Sequence, residues 1–385
     1  MKKLMALLMA CALSMSLLAG CGGGGSSSTA GSSAAGGSQA SSGADSKPIK
    51  VAMVIAGALG DKGFNDSAKA GLDKAMEEFG VEAQVIELPT SDKTKFEPTL
   101  LDLADSGEYD LITAAGNAMR EIVEKVAVQC PDQKFYLYDA AVDYNNGEFP
   151  NVYCNTFLQN EASFLGGIVA AGMTSSDLPD MNADKVVGNV LMMDMAVIND
   201  FMVGFIEGCQ YADPDVKINT AYIGAVDAAK AKDMAMAMYQ QKADIVFQVA
   251  ASAGLGVIEA GKEQNGYVIG VDQDQAMVLM ETDPEAANRI LTSVLKRVDV
   301  AVYRVLEMMA KDPASVPWGK SEALGMQEGC VGIAKTEVYE KLVTDEVKAM
   351  VEEAEKKIAS GEIKVSTAYG METDEITALR DGVKP

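Results

Sequence analysis

The sequence predicts an α/β protein built as two doubly wound, Rossmann-like lobes, and three observations predict it. Short apolar runs alternate with amphipathic stretches from about residue 49 to the end. The runs are apolar almost throughout, as in parallel strands covered on both faces, rather than at every second residue. Ten such runs suit two sheets better than one over this length.

The expected strands are, in order, "IKVAMVI" from Ile49 to Ile55, "EAQVIEL", "DLITAAG", "KFYLYD", "NVYCNTF", "KVVGNVLMM", "KINTAYIGAV", "ADIVFQVAA", "GYVIGVD" and "RILTSVL". Most are separated by a helical pattern. Ser67 to Phe79 is typical: Ala68, Leu72, Ala75, Met76 and Phe79 share one face, Asn65 or Asp66 can cap the start, and Gly80 can end the helix.

The segment before the first strand is of a different kind. "MKKLMALLMACALSMSLLAG" has two lysines, an apolar stretch and small residues, the layout of an export signal too short to span a bilayer. Cys21 follows Leu18-Ala19-Gly20, as in a bacterial lipobox, where the cysteine is lipidated and becomes the mature N-terminus; the competing reading is an ordinary signal with a chance cysteine. Gly22 to Ser46 is nearly all Gly, Ser and Ala and cannot bury enough surface to fold. As a coil it reaches roughly 25–30 Å, a suitable tether. The expectation is an exported protein held at the outer face of the cell membrane through a lipid anchor only.

Composition excludes several functions. The formal net charge of −24 argues against nucleic acid or anionic lipid as a partner. The chain has no histidine, which removes Ser-His-Asp and Cys-His nucleophiles and most zinc sites. Beyond Cys11 and Cys21, the cysteines are Cys130, Cys154, Cys209 and Cys330, without CxxC spacing, and read as buried free thiols. No cofactor or metal is expected, and the chain reads as a monomer.

In open parallel sheets, ligands bind beyond the carboxyl ends of the strands. The residues there are Gly57 to Asn65, Gly116-Asn117, Asp139, Asn155, Met193-Asp194, Val226-Asp227, Ala251 to Gly254, Asp272 and Lys296. Carboxylates and amides with one lysine and one prominent aromatic suit a polar, neutral or weakly charged small molecule. The first of these loops, "GALGDKGFNDSAKAG", spaces its glycines G-x-x-G-x-x-G, which matches neither the dinucleotide fingerprint nor the P-loop. Asp61 would repel a phosphate. Phe64, set among the glycines beside Asn65, is suited to stacking on a planar ligand.

"GDKGFNDSAKAG" resembles the D-K-S-F-N-x-S-A-x-x-G signature of the basic membrane protein family, substrate-binding lipoproteins of ABC importers that include purine nucleoside receptors. "NEASFLGGIVAAG", "VINDFMVGFIEG", "ADIVFQVAASAGLGVIEAGKE", "GYVIGVDQDQ" and "ILTSVLKRVD" follow in the family's order, and the similarity runs from about Ile49 to Ile363. The resemblance implies a type I periplasmic-binding-protein fold whose lobes close on the ligand about a hinge. Lobe 1 would take residues 48–157 plus about 292–325, and lobe 2 residues 158–291 plus about 326–385. It implies a ligand-binding set of Asp61, Phe64, Asn65, Glu121, Ala251, Gly254, Asp272, Asp274 and Lys296. Phe64 would stack on a purine and Glu121 would read the base edge. Asp272, with Asp274 nearby, and Lys296 would hold ribose hydroxyls, while the small residues from Ala251 to Gly254 would let backbone approach the sugar. The expected partners are a nucleoside-like small molecule and an ABC permease.

Two positions depart from the nucleoside-binding pattern. Ile55-Ala56 stands where an Asp and a polar residue are usual, and Val226, in "YIGAVD", stands where a second stacking aromatic is usual. Met192, Met193 and Tyr222 are the candidates to compensate. Other readings remain open from sequence: another solute such as a sugar or vitamin, a surface sensor or adhesin on the same fold, a nucleoside hydrolase working through Asp61, Asp139 and Asp272, and a lobe-bridging Asp272–Lys296 ion pair that touches no ligand.

Overall fold

The computed structural model describes residues 47–178 and 180–385. The proposed lipidation site Cys21, its signal and the Gly/Ser segment lie outside the described residues.

The chain first lays down β1 (Lys50–Ala56), α1 (Phe64–Phe79), β2 (Glu82–Leu88), α2 (Phe96–Ser106), β3 (Leu111–Ala115), α3 (Asn117–Gln129), β4 (Phe135–Tyr138) and β5 (Val152–Phe157). A second run follows: α4 (Gln159–Thr174), β6 (Val186–Leu191), α5 (Ala196–Ala212), β7 (Lys217–Tyr222), α6 (Ala228–Gln240), β8 (Ala243–Val249), α7 (Gly254–Gln264), β9 (Tyr267–Asp272), α8 (Gln275–Met280), α9 (Pro284–Ala287) and β10 (Ile290–Lys296). The rest is α10 (Val298–Lys311), β11 (Lys320–Leu324), β12 (Val331–Ile333), α11 (Glu337–Leu342), α12 (Asp345–Ala359) and α13 (Thr373–Gly382).

Two six-stranded sheets result, ordered β11-β5-β4-β3-β1-β2 in lobe 1 and β12-β10-β9-β8-β6-β7 in lobe 2, parallel except for β12 against β10. All ten expected strands are present. The two unexpected ones are edge strands: β11, "KSEAL", is largely exposed and polar, and β12 has three residues, so neither carries the buried apolar signal. The chain crosses between lobes after β5, after β10 and between β11 and β12. The boundary expected near 292 falls after Lys296 instead, because β10 is paired along its length with β9 and β12. Backbone bonds knit the crossings, Leu158 N to Leu324 O at 2.9 Å and Arg297 N to Cys330 O at 2.8 Å.

The core explains much of the family-like wording. In α5, a Cβ on Gly204 or Gly208 would collide with the Asn160 and Phe164 carbonyls of α4, so "NEASFLGG" and "VINDFMVGFIEG" are the two faces of one close helix contact. Likewise Gly71 lets α1 meet the backbone of Asp299 on α10, where Ser67 Oγ accepts from Asp299 N at 3.1 Å.

The first helix begins at Phe64, three residues earlier than its apolar stripe suggests. Neither Asn65 nor Asp66 caps it: Gly63 is the N-cap residue, and Asp61 supplies the carboxylate that collects the free N–H groups. Gly80 ends it in the left-handed conformation, as expected, while Met76 is exposed. Cys154, Cys209 and Cys330 are buried free thiols; Cys130 is only half-buried.

Candidate functional site

Lys296 ends β10, where the chain is about to return to lobe 1, and its side chain is 3 % exposed. Its ammonium pairs with Asp139, at the end of β4. Three phenylalanine rings surround it: Phe157 centred 5.3 Å away, Phe64 at 5.5 Å and Phe201 at 5.5 Å. Phe64 and Phe157 come from lobe 1 and Phe201 from α5 of lobe 2, so the buried cation stands where the lobes meet. Aromatic faces offset part of the cost of desolvating it.

Carboxylates gather around this lysine. Burial pushes the Asp272 acid up to about 7, with Lys296 opposing and Asp61 and Asp139 reinforcing the rise. Burial also raises Asp139, against the pull of Lys296. Asp200, near the N-terminal end of α5, is raised by burial although Thr367, Ala368, Lys296 and Gln159 favour its charge. Its oxygens accept from Thr367 Oγ1 at 2.6 Å, Ala368 N at 2.8 Å and Gln159 Nε2 at 2.7 Å. Asp139 (φ 58°) and Asp272 (φ 66°) both sit in the left-handed region, a strain that clusters at functional sites.

Phe64 does not stand free in the loop. Its ring stacks on Tyr138, with centroids 5.9 Å apart and planes at 29°. Among the described residues, the Tyr138 hydroxyl is buried without a hydrogen-bond partner, and so is Gln159 Oε1, beside the Tyr369 phenol. Buried polar atoms left unpaired are uncommon and costly, and a bound solute would satisfy them.

The other sequence candidates have mixed positions. Asp61 directs its carboxylate at the N–H groups of Gly63 (3.1 Å), Asn65 (2.9 Å) and Asp66 (3.2 Å), which makes it a helix cap. Asn65 braces the loop by donating to the Ala58 carbonyl at 3.2 Å. Asp274 caps α8, accepting from Met277 N at 3.0 Å. Glu121 is exposed on α3. Ala251 is exposed with φ 49°; Gly254 is small because Gln248 packs where its Cβ would be.

Of the residues that could compensate for Val226, Tyr222 donates to Asn199 Oδ1 at 2.7 Å and Met192 packs on the core. Met193 and Val226 are exposed. Sequence reasoning missed Tyr138, Gln159, Phe157, Asp200, Phe201 and Tyr369, and left Asp139 out of the binding set. Asp139 alone had a signal, its place at a strand's carboxyl end.

The arrangement can hold a neutral, hydroxyl-rich or planar molecule between the lobes. A surplus of carboxylates around one ammonium favours ligands that donate hydrogen bonds and repels anions.

Comparison with known proteins identifies the family. The sequence matches the family described as "ABC transporter substrate-binding protein PnrA-like" over residues 49–368. It is 31% identical over 318 residues to basic membrane protein A of Borreliella burgdorferi, covering 82% of this chain and 86% of that one. An uncharacterized lipoprotein of Pyrococcus furiosus is 31% identical over 360 residues, covering 83% of this chain and 85% of its own. A crystal structure of an ABC-transporter solute-binding protein from Aeropyrum pernix K1 superposes with a TM-score of 0.75 at 30% identity, covering 87% of this chain and 98% of the other. The chain belongs to the basic membrane protein family, whose members are substrate-binding proteins: it is an extracytoplasmic, PnrA-like substrate-binding protein of an ABC transporter, with a small-molecule ligand and a permease as partners.

Proposed function

We propose that this protein is the lipid-anchored receptor of an importer and that its solute is nucleoside-like, with a purine nucleoside the first candidate. The observation that carries the reading is the pairing of two chemistries at one place: an aromatic platform, Phe64 backed by Tyr138, and a buried Asp272 near Lys296. A carboxylate can accept two hydrogen bonds from a cis-diol while the ammonium donates to a sugar oxygen. A base stacked on Phe64 would add about 1–3 kcal/mol. The carboxylate surplus disfavours a phosphorylated solute.

Thermal shift against inosine, adenosine, guanosine, their 5′-monophosphates, free bases, ribose and myo-inositol tests this. A ligand at about 100 times its Kd stabilises the folded state by about 2.7 kcal/mol. Nucleosides should raise the melting temperature and monophosphates should not. A rise with a sugar and none with any nucleoside would overturn the nucleoside reading. For the anchor, Cys21 after Leu18-Ala19-Gly20 is the supporting feature, and a relative is named a lipoprotein. Cys21→Ser should abolish partitioning into detergent; unchanged partitioning would refute lipidation.

A further inference from the structure

Gln273 follows Asp272 on lobe 2, yet its side chain ends on lobe 1. Its Nε2 donates to the Gly63 carbonyl at 2.6 Å. Gln275 Nε2 lies 3.5 Å from the neighbouring Lys62 carbonyl. Gly63 is the N-cap residue of α1 and directly precedes Phe64. The Asp272 carboxylate stands 3.5 Å from where a Cβ on Gly63 would be, an ordinary van der Waals distance that places the two lobes in direct contact here.

Both sides of this contact are stiff. On lobe 2, Gln273 N bonds back to Val271 O at 2.8 Å, closing a tight turn with Asp272 at its centre. Behind the turn, Gln275 Oε1 accepts from Val271 N at 3.1 Å and Gln248 Nε2 at 2.8 Å, and Gln275 N donates to Ser293 Oγ at 3.2 Å. On lobe 1, Asp61 collects three backbone N–H groups, and Asp66 accepts from Gly60 N at 2.7 Å and Lys62 N at 2.9 Å. Gly63 O already takes the first helical bond, from Ser67 N at 2.9 Å, and Gln273 uses its second lone pair.

We propose that Gln273 is a positioning residue that latches the lobes: by donating to Gly63 it holds the Phe64 loop against Asp272 and sets how long the closed state lasts. The bond joins groups that separate when the lobes part, so it weights the closed state alone. Solute meets the open form, where the bond is absent, so capture is untouched and release is slowed. The part of the proposal concerning solute rests on the reading of Phe64 and Asp272 as ligand-holding; the part concerning closure does not.

The test uses single-molecule energy transfer between dyes on Val128→Cys of lobe 1 and Lys242→Cys of lobe 2, both exposed, in a Cys130→Ser background. Gln273→Ala removes the donor, and Gln273→Glu sets a carboxylate against the carbonyl. Met277→Ala, at an exposed side chain on α8, is the control. Without solute, the ratio of closed to open molecules should fall about 2- to 13-fold in Gln273→Ala, the range one net hydrogen bond allows, and further in Gln273→Glu. Met277→Ala should leave it unchanged. Equal closed populations in the parent and Gln273→Ala, including none in either, overturn the latch. With inosine as probe, stopped flow should show dissociation faster by the same factor and association unchanged. A change in association alone also overturns the latch. Absence of inosine binding to the parent would count against the nucleoside reading, while the solute-free populations still decide the latch.

Discussion

Lys296→Met is the most informative perturbation. Methionine keeps nearly the length and apolar contact of the lysine stem among Phe64, Phe157 and Phe201 but removes the charge. Asp139 then loses its ion-pair partner, and Asp272 and Asp200 lose a cation that favours their charged forms. A contact ion pair at about 3 Å attracts by roughly 5–6 kcal/mol at an effective dielectric of 20. The desolvation cost of the ammonium, recovered on its removal, offsets part of this. Breaking a buried pair by removing one partner costs about 3–5 kcal/mol. At about 2 °C per kcal/mol for a chain of this size, the melting temperature at pH 8 should fall by about 6–10 °C. The loss should shrink at pH 5, because Asp272 and Asp139, already raised by burial, can take up protons and become neutral. Thermal unfolding at both pH values is the assay. An equal loss at pH 5 and pH 8 would refute the electrostatic argument and leave a packing defect as the cause.

Phe64→Ala should weaken binding of a nucleoside about 5- to 150-fold by calorimetry, the equivalent of 1–3 kcal/mol of stacking. Because the ring also stacks on Tyr138, the substitution should cost about 1–2 kcal/mol of stability as well, measured by urea unfolding. Val226→Phe, at a side chain 56% exposed, should leave stability within about 0.5 kcal/mol. It should tighten a planar base and exclude a bulkier, non-planar solute, which calorimetry separates. Asp272 has its acid raised from 3.8 to about 7, so its contribution to unliganded stability is present below about pH 4 and is lost as pH rises through 7. Asp272→Asn should flatten that slope in melts from pH 4 to 8. A solute that requires the ionised carboxylate should bind the parent about tenfold more weakly per pH unit below 7, and pH-independent binding would refute that requirement.

The fold was legible because its signal is local. Burial on both faces leaves continuous apolar runs at β1, β3, β8 and β9, and the following helices carry their own stripes. The edge strand β11 escaped because an exposed edge imposes no such pattern. The site was legible only in part. Position after a strand pointed to Phe64, Asp272 and Lys296, which the structure gathers around one buried ammonium, but it pointed equally to Asp61 and Asn65, and the family resemblance added Asp274; the polar groups of all three serve the local backbone. A carboxylate's letter does not say whether its lone pairs face a helix N-terminus or a cleft.

The sequence by itself determined the strand and helix order, the two-lobed α/β class, and the motifs shared with the family, because periodicity and glycine placement act over a few residues. Only the tertiary structure decided which groups meet. Asp139 and Lys296 are 157 positions apart, and Gln273 reaches Gly63 across 210; both meetings depend on the three crossings that swing one sheet against the other. Tyr138 became the backing of Phe64, and Asp200 the clasp of the segment carrying Tyr369, through packing between elements far apart in the chain. Such contacts leave no periodic trace in the residues that make them.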